Sequence, residues 1–144
     1  DSGGAGEWRG GLGFVREYRI LADDVRFSMR TDKHAVEPFG SSAGLPGGKG
    51  ACRINPATKD EKSLPSRFGD HRLGRNDTIR VERPGGGGLG NPFNRPVGKV
   101  LEDLRQGYVS PARAQSDYGV AAQLVDGEPI LHEGETTRLR GKTG

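Results

Sequence analysis

A run of four glycines is the feature of this 144-residue chain with the most specific chemical meaning. The run follows Pro84 and is itself followed by Leu89, Gly90 and Asn91. Because glycine has no Cβ, successive backbone N–H groups can face an anion or a flat substrate at close range. The run lacks the Gly-Lys-Ser/Thr of a nucleotide phosphate loop and the glycine spacing of a dinucleotide fold. Composition leaves two alternatives open: a loop that faces a ligand, or a tight structural crossing.

Side chains that bind metals or attack substrates form no recognisable pattern in the sequence. His34, His71 and His132 are far apart, and none belongs to a His-x-His or His-x-x-x-His pair. The Gly-x-Ser-x-Gly elbow of serine hydrolases does not occur. Cys52 is the single cysteine, which rules out an internal disulfide. We interpret it as a small buried residue, with a reactive thiol as the alternative, and we assign no metal ligand.

Charge and hydropathy argue against several broad classes of protein. The net charge of +3 is spread along the chain, and the Arg9-Gly10-Gly11 triplet has only Trp8 as an aromatic neighbour. A dedicated nucleic-acid surface is therefore not expected. No apolar run approaches the ~20 residues of a membrane span, and no signal peptide is visible. The lone cysteine favours the cytoplasm, and an opening at Asp1 rather than Met favours a piece of a larger polypeptide.

The first two thirds of the chain combine short strand patterns with glycine-rich loops. Only 31% of the residues are hydrophobic, while 25 are Gly and 9 are Pro. Such a chain is short of core material, so we expect help from a partner surface or from the rest of its polypeptide. Strands are predicted at Phe14–Leu21, Val25–Arg30, Ala51–Ile54 and Asp77–Glu82. The first two are expected to pair as an antiparallel hairpin.

Helices are predicted only after residue 95. Apolar residues share one stripe of Pro96–Gln106, and Ser110 is suited to cap a second helix that Gly119 ends. A strand over Val120–Val125 and a tight turn follow, and Glu133–Gly141 is a third helical segment. The predicted fold class is α+β, predominantly β. Antiparallel strands and glycine-rich loops occupy residues 1–95, and two or three short helices with a hairpin occupy residues 96–144.

Taken in order, the glycine motifs resemble those of one known family. The series reads Gly3-Gly4-Ala5-Gly6, Arg9–Gly13, Arg16-Glu17-Tyr18, Gly47–Gly50, Pro84–Pro92, Gly107–Ser110 and Asp117–Val120. In this order and spacing, residues 2 to 139 resemble the carboxy-terminal part of the hydantoinase B/oxoprolinase family. Leu89, Asn91 and Asn76 stand where an aromatic, an Asp and a Gly are common. The change at Asn91 removes a charge, and it concerns the choice of substrate more than the family.

The resemblance implies part of the B component of an ATP-dependent cyclic-amide hydrolase of the hydantoin or 5-oxoproline type. Such a component works with an A-type subunit that binds ATP and phosphorylates the substrate oxygen. A divalent metal is implied elsewhere in the B component, and this chain alone is expected to bind no cofactor. The expected partners are the rest of the B component, the A-type subunit and a small-molecule substrate. A related ATP-dependent ketone carboxylase and a purely structural assembly module are the alternatives.

Phosphorylation of a cyclic amide creates an anionic intermediate, which backbone donors and fixed arginines are suited to stabilise. Catalytic residues stay unassigned, and the substrate- or anion-binding candidates are Arg9, Arg16, Gly85, Gly86, Gly87 and Gly88. The alternative for Arg16 is a structural ion pair with Glu17 or with a neighbouring strand. If segments 3–13 and 84–92 meet at one cleft, the enzyme interpretation gains support. If both are buried crossings, the assembly interpretation gains support.

Overall fold

Strands dominate residues 1–91 and helices follow them, in a computed structural model that describes residues 1–141. Among these residues the strands are β1 (Val15–Arg19), β2 (Val25–Arg30), β3 (Ala51–Ile54), β4 (Lys62–Leu64), β5 (Arg67–Leu73), β6 (Thr78–Glu82), β7 (Ala122–Val125) and β8 (Glu128–Leu131). The α-helices are α1 (Val97–Arg105), α2 (Pro111–Tyr118) and α3 (Glu133–Arg140), and a 3₁₀ turn spans Pro92–Asn94. The α+β, predominantly β class is confirmed. None of the helices described is long and apolar enough to span a bilayer.

The larger sheet is antiparallel and has the strand order β1-β6-β3-β4. Its two faces differ because side chains alternate along each strand. On one face, the side chains of Cys52, Ile54 and Ile79 point into a hydrophobic core, where each is almost fully buried. The other face carries an ion-pair ladder in which Arg80 bonds Glu17 and Glu82, and Glu82 also pairs with Arg53.

The predicted hairpin between the first two strands is wrong. β1 pairs with β6, and β2 pairs with β5 in a separate two-stranded ribbon. Ile20 continues the β1–β6 ladder, since its N–H donates to Asp77 O at 2.8 Å and its carbonyl accepts from Asn76 N at 2.8 Å. Asp24 then adopts a left-handed conformation (φ 51°), where the chain turns toward the ribbon. Both strands thus take partners from much later in the sequence.

Two separate hydrophobic cores hold residues 1–141 together. The first lies between the larger sheet and the β2–β5 ribbon and combines Ile54 and Ile79 with Leu73, Phe27 and Met29. The second is built by α1, α2 and the β7–β8 hairpin around one residue of the first glycine-rich segment. Its buried members are Ala5, Val100, Leu104, Val109, Ala114, Tyr118 and Val120.

Cys52 lies in the first of these cores. It is 1% exposed, which confirms its interpretation as a small buried residue. Burial raises the pKa of its thiol, because the charged thiolate loses its hydration there.

Local signals in the tail are confirmed by the geometry of its turns and caps. Ser110 Oγ accepts a hydrogen bond from Arg113 N at 3.3 Å and caps α2. Gly119 ends that helix with φ 63°, a left-handed conformation that glycine adopts without a Cβ clash. Asp126 and Gly127 both have positive φ, as the two-residue turn of the β7–β8 hairpin requires.

Candidate functional site

Three glycine-rich segments cross each other backbone to backbone and connect the two cores. We call residues 3–13, 40–48 and 84–90 the glycine crossing. Gly4 N donates to Gly86 O at 2.8 Å, and Gly86 N donates to Gly11 O at 2.8 Å, which joins the first and third segments. Gly88 N donates to Leu45 O at 2.9 Å and joins the second and third. The three segments therefore form one hydrogen-bonded unit.

The crossing is so tight that most of its glycines have no room for a side chain. A Cβ on Gly85, Gly87 or Gly88 would overlap a backbone carbonyl oxygen, of Ser2, Phe39 and Ala5 respectively. Gly86 differs, because the atom nearest to its Cβ position is Gly11 N at 3.2 Å. None of the four has a positive φ. Close approach of backbones, rather than turn geometry, is therefore why glycine is needed here.

The packing of the four glycines is that of a structural crossing. The N–H groups of Gly85, Gly86 and Gly88 donate to the carbonyls of Gly48, Gly11 and Leu45. Gly85 and Gly88 are buried, whereas Gly86 is exposed. The anion-binding role assigned to Gly85–Gly88 stays a prediction.

Arg9 lies in a largely buried ion-pair cluster next to the crossing. Its Nε is 3.2 Å from Asp103 Oδ2, and its side chain is 16% exposed. Arg95 donates to the same carboxylate oxygen from two nitrogens, at 2.9 and 3.2 Å, and also to Glu7 O at 3.0 Å. Asp103 is only 5% exposed, on α1. This cluster, which we call the Asp103 cluster, ties the first glycine-rich segment to the helical core.

A cleft of about 450 Å³ opens beside the Asp103 cluster. It is lined by Glu7, Trp8, Arg9, Arg95, Pro96 and Lys99. Trp8 is 65% exposed, and the guanidinium of its neighbour Arg9 also stacks over the Tyr108 ring at 5.2 Å. An exposed indole next to cations can contact the flat or anionic part of a small ligand. Of the predicted site residues, only Arg9 lines this cleft.

Arg16 lies in different surroundings, on the exposed strand β1. Its guanidinium stacks on the Phe14 ring at 4.8 Å, and both residues line an apolar groove of about 560 Å³ with Tyr18. The alternative ion pair is not formed with Glu17, which pairs with Arg80 at 2.9 Å, nor with a neighbouring strand among residues 1–141. The structure therefore places Arg9 and Arg16 in two separate cavities, and the binding roles of both stay predictions.

Asp103 and Arg95 are the site residues that sequence reasoning missed. The signal was a carboxylate on the apolar stripe of α1, three positions after Val100 and next to Leu104, both of which are fully buried. Of its two partners, Arg95 lies only 8 residues before it, whereas Arg9 comes from the distant first glycine-rich segment. Tyr118 packs near this cluster, and burial raises the pKa of its phenol.

Within residues 1–141, no group of three or more His, Cys, Asp and Glu is placed to hold a metal ion.

The sequence is similar to known proteins along almost its whole length. A family model described as hydantoinase B/oxoprolinase matches residues 1–92. The B subunit of a putative D-/L-hydantoinase from Pseudomonas sp. strain NS671 is 38% identical over 136 residues, which are 94% of this chain and 22% of that protein. The beta subunit of the caprolactamase from Pseudomonas jessenii is 34% identical over 151 residues, 94% of this chain and 23% of that protein. The chain thus spans about a quarter of the length of these relatives.

Solved structures share the same fold. The ATP-dependent caprolactamase from Pseudomonas jessenii superimposes with a TM-score of 0.76 and 28% identity, over 98% of this chain and 24% of that one. A nucleotide-free acetone carboxylase superimposes with a TM-score of 0.80 over 98% of this chain and 23% of that one. Its sequence identity is 22%, so this second likeness concerns the fold alone.

Proposed function

The chain belongs to the hydantoinase B/oxoprolinase family, and we propose that it forms the carboxy-terminal part of the B component of an ATP-dependent cyclic-amide hydrolase. In this role it supplies one rigid wall of the active site and part of the interface with an A-type subunit. ATP is held by the A-type subunit, and a divalent metal is held elsewhere in the B component. The substrate is a small cyclic amide.

The observation that carries the wall assignment is how firmly the cleft residues are fixed. Trp8 exchanges both backbone hydrogen bonds with Leu89, and the Arg9 guanidinium is held against Asp103. A residue that is already fixed loses little conformational entropy when a ligand arrives, so more of the contact energy is available for binding. The glycine crossing thus presents Trp8 at the cleft from a rigid support.

The charge of the cleft suits an anionic intermediate. Its cations are Arg9, Arg95 and Lys99, and the carboxylates near them are Glu7 and the buried Asp103. The surplus is one positive charge, close to an exposed indole. A preorganised positive site favours a phosphorylated intermediate over the neutral cyclic amide.

Hydrolysis is favoured over carboxylation by the sequence relatives. The proteins at 34% and 38% identity are named for caprolactamase and hydantoinase, whereas the carboxylase likeness has only 22% identity.

A purely structural assembly module is the second candidate. It is favoured by the crossing itself, since Gly85 and Gly88 are buried between backbone segments.

Trp8→Ala separates these two candidates when it is introduced into the complete B component assembled with its A-type subunit. Trp8 is 65% exposed, so its removal leaves the melting temperature nearly unchanged. If the cleft is part of the active site, the KM for a hydantoin rises about fivefold, which corresponds to a lost aromatic contact of about 1 kcal/mol. Steady-state hydrolysis at saturating ATP measures this.

Phe39→Ala is the matched control, since Phe39 is an exposed aromatic residue that does not line the cleft. It should leave KM and kcat at wild-type values. Wild-type kinetics for Trp8→Ala as well would remove the wall assignment and leave the assembly module as the function of this chain.

A further inference from the structure

The β2–β5 ribbon carries two pairs of arginines that lie directly opposite each other. Arg26 faces Arg72 in the register, and Arg30 faces Arg67. Side chains at directly opposite positions have Cβ atoms about 4.5–5.5 Å apart, and like charges there destabilise the pairing. Two such pairs on one short ribbon therefore call for compensating negative charge.

The first pair has that compensation within the chain. Arg26 bonds Asp70 at 2.6 Å, and Arg72 lies 3.8 Å from an oxygen of Asp24. A carboxylate thus stands beside each guanidinium of this pair. One acid comes from β5 itself and the other from the turn that precedes β2.

The second pair has no such compensation in the part of the chain that the structure describes. No carboxylate in residues 1–141 forms an ion pair with Arg30, Arg67 or the nearby Arg83. The single acid at this place is Asp32, whose Oδ1 accepts from Lys33 N at 2.8 Å. Three arginines and one carboxylate therefore line the same place.

These three arginines line one open cavity of about 1120 Å³. Thr31 and Phe68 also line it, which adds a hydroxyl and an aromatic ring to the cations. The volume lies just above the range of roughly 300–1,000 Å³ of small-molecule pockets. The cavity is separate from the cleft at Trp8, since the two have no lining residue in common.

We propose that this cavity binds a small molecule through an oxyanion, a phosphate or a carboxylate, held by Arg30, Arg67 and Arg83. The planar guanidinium presents paired N–H donors that match the oxygens of either group. A bound oxyanion would supply the negative charge that Asp70 and Asp24 supply to the other arginine pair. The assignment does not depend on the hydrolase function, because it rests on the ribbon and its charges alone.

The test is a titration of the complete B component, ¹⁵N-labelled only in the segment that corresponds to residues 1–144, followed by NMR at the arginine Nε–Hε and backbone N–H signals. Inorganic phosphate and acetate are added separately at constant ionic strength, kept with NaCl, because exposed charges are screened by salt. Saturable shifts are expected at Arg30, Arg67 and Arg83. Saturation by phosphate assigns a phosphate ligand, and saturation by acetate alone assigns a carboxylate ligand.

Arg30→Gln and Arg67→Gln should each weaken binding about tenfold, the effect of losing one charge-assisted hydrogen bond. Arg72→Gln is the matched control, since it removes the same charge from the same ribbon at an equally exposed position that does not line the cavity. It should leave the affinity within about twofold of wild type. Three results would each overturn the proposal. They are an equal loss of affinity in all three variants, NMR shifts at Arg26 and Arg72 as large as those at Arg30 and Arg67, and no saturable shift in the wild-type protein.

Discussion

Trp8 and Leu89 exchange both of their backbone hydrogen bonds, each with an N···O distance of 2.9 Å. This isolated antiparallel bridge locks the first glycine-rich segment onto the residue that follows the four glycines. It fixes the backbone from which the exposed indole projects at the cleft. The main chain on this side of the cleft is therefore held by hydrogen bonds of the glycine crossing.

Gly87→Ala and Gly86→Ala form a matched pair that tests the crossing. A methyl group on Gly87 would overlap the carbonyl oxygen of Phe39, and backbone cannot move aside as a side chain can. We expect Gly87→Ala to lower the free energy of unfolding by about 3 kcal/mol or more, the upper range for overpacking. At Gly86 the nearest atom is 3.2 Å away, so the cost should stay near 1 kcal/mol. Urea unfolding measures both values.

Sequence alone does not distinguish Gly86 from Gly87, whereas the structure separates them. Sequence also predicts that Gly50→Ala is milder than either, and the structure agrees only for the comparison with Gly87→Ala. A Cβ at Gly50 would lie 3.0 Å from Glu82 O, slightly tighter than the 3.2 Å at Gly86, so Gly50→Ala should cost about as much as Gly86→Ala. Equal stability of Gly87→Ala and Gly86→Ala would mean that the crossing is loose enough to yield, contrary to the packing described here.

Asp103→Asn should be strongly destabilising. Asp103 is 5% exposed and is the common partner of Arg9 and Arg95, whose side chains are 16% and 12% exposed. Removing its charge leaves two largely buried cations without their carboxylate, which costs about 3–5 kcal/mol. Thermal and urea unfolding of the variant measure the loss.

Glu102→Gln is the control for this charge change. Glu102 is the neighbouring carboxylate of α1, faces solvent and pairs with Arg105. Its substitution should leave the melting temperature close to the wild-type value. If Asp103→Asn melted at the same temperature as Glu102→Gln, the Asp103 cluster would contribute little to the stability of the fold.

Local features of the fold could be predicted from sequence because their causes are local. Ser110 and Gly119 bound a helix through their own backbone geometry, and the Asp126-Gly127 turn closes its hairpin in the same way. Strand pairing could not be predicted so well. Strand β5 was not predicted, because its apolar and polar residues do not alternate regularly. A register shift opposite Phe27 and Met29, with Asp70 at φ 59°, interrupts the pattern.

The site was only partly predictable for a similar reason. The four glycines indicated a close approach, and three of them make one, but the sequence does not say which backbone approaches. Arg9 is an anion-binding candidate by its place in the motif, while nothing near it in sequence indicates its buried carboxylate partner on α1. An ion pair between residues so distant in sequence depends on the tertiary fold and leaves no local signal.

Asp77 should make stability depend on pH in the acid range. Its carboxylate accepts from Asn55 Nδ2 and from Gly74 N, both at 2.8 Å. These hydrogen bonds, that of Asn55 first, hold the pKa of Asp77 below its ordinary value of 3.8. With a lowered folded-state pKa, the stabilisation is fully present above about pH 4 and is lost as the pH falls through the folded-state pKa.

Asp77→Asn should lower the free energy of unfolding by about 1–2 kcal/mol at pH 7, since an amide keeps only one acceptor oxygen. The difference from wild type should shrink as the pH falls through the lowered pKa of Asp77, where the wild-type carboxylate becomes protonated. Asp60→Asn, at an exposed turn position, serves as the control. If the difference in free energy of unfolding between Asp77→Asn and wild type stayed constant over this acid range, the Asp77 carboxylate would not be the source of the pH dependence.

The proposed role of this chain within an ATP-dependent cyclic-amide hydrolase is tested by product formation. The ring-opened product of a hydantoin is measured for the complete B component with its A-type subunit, with and without ATP, in bicarbonate-free buffer. We expect a product that requires ATP and both subunits, and no product from the 144-residue chain alone. Turnover by the chain alone, or a product that forms only when bicarbonate is added, would contradict this role.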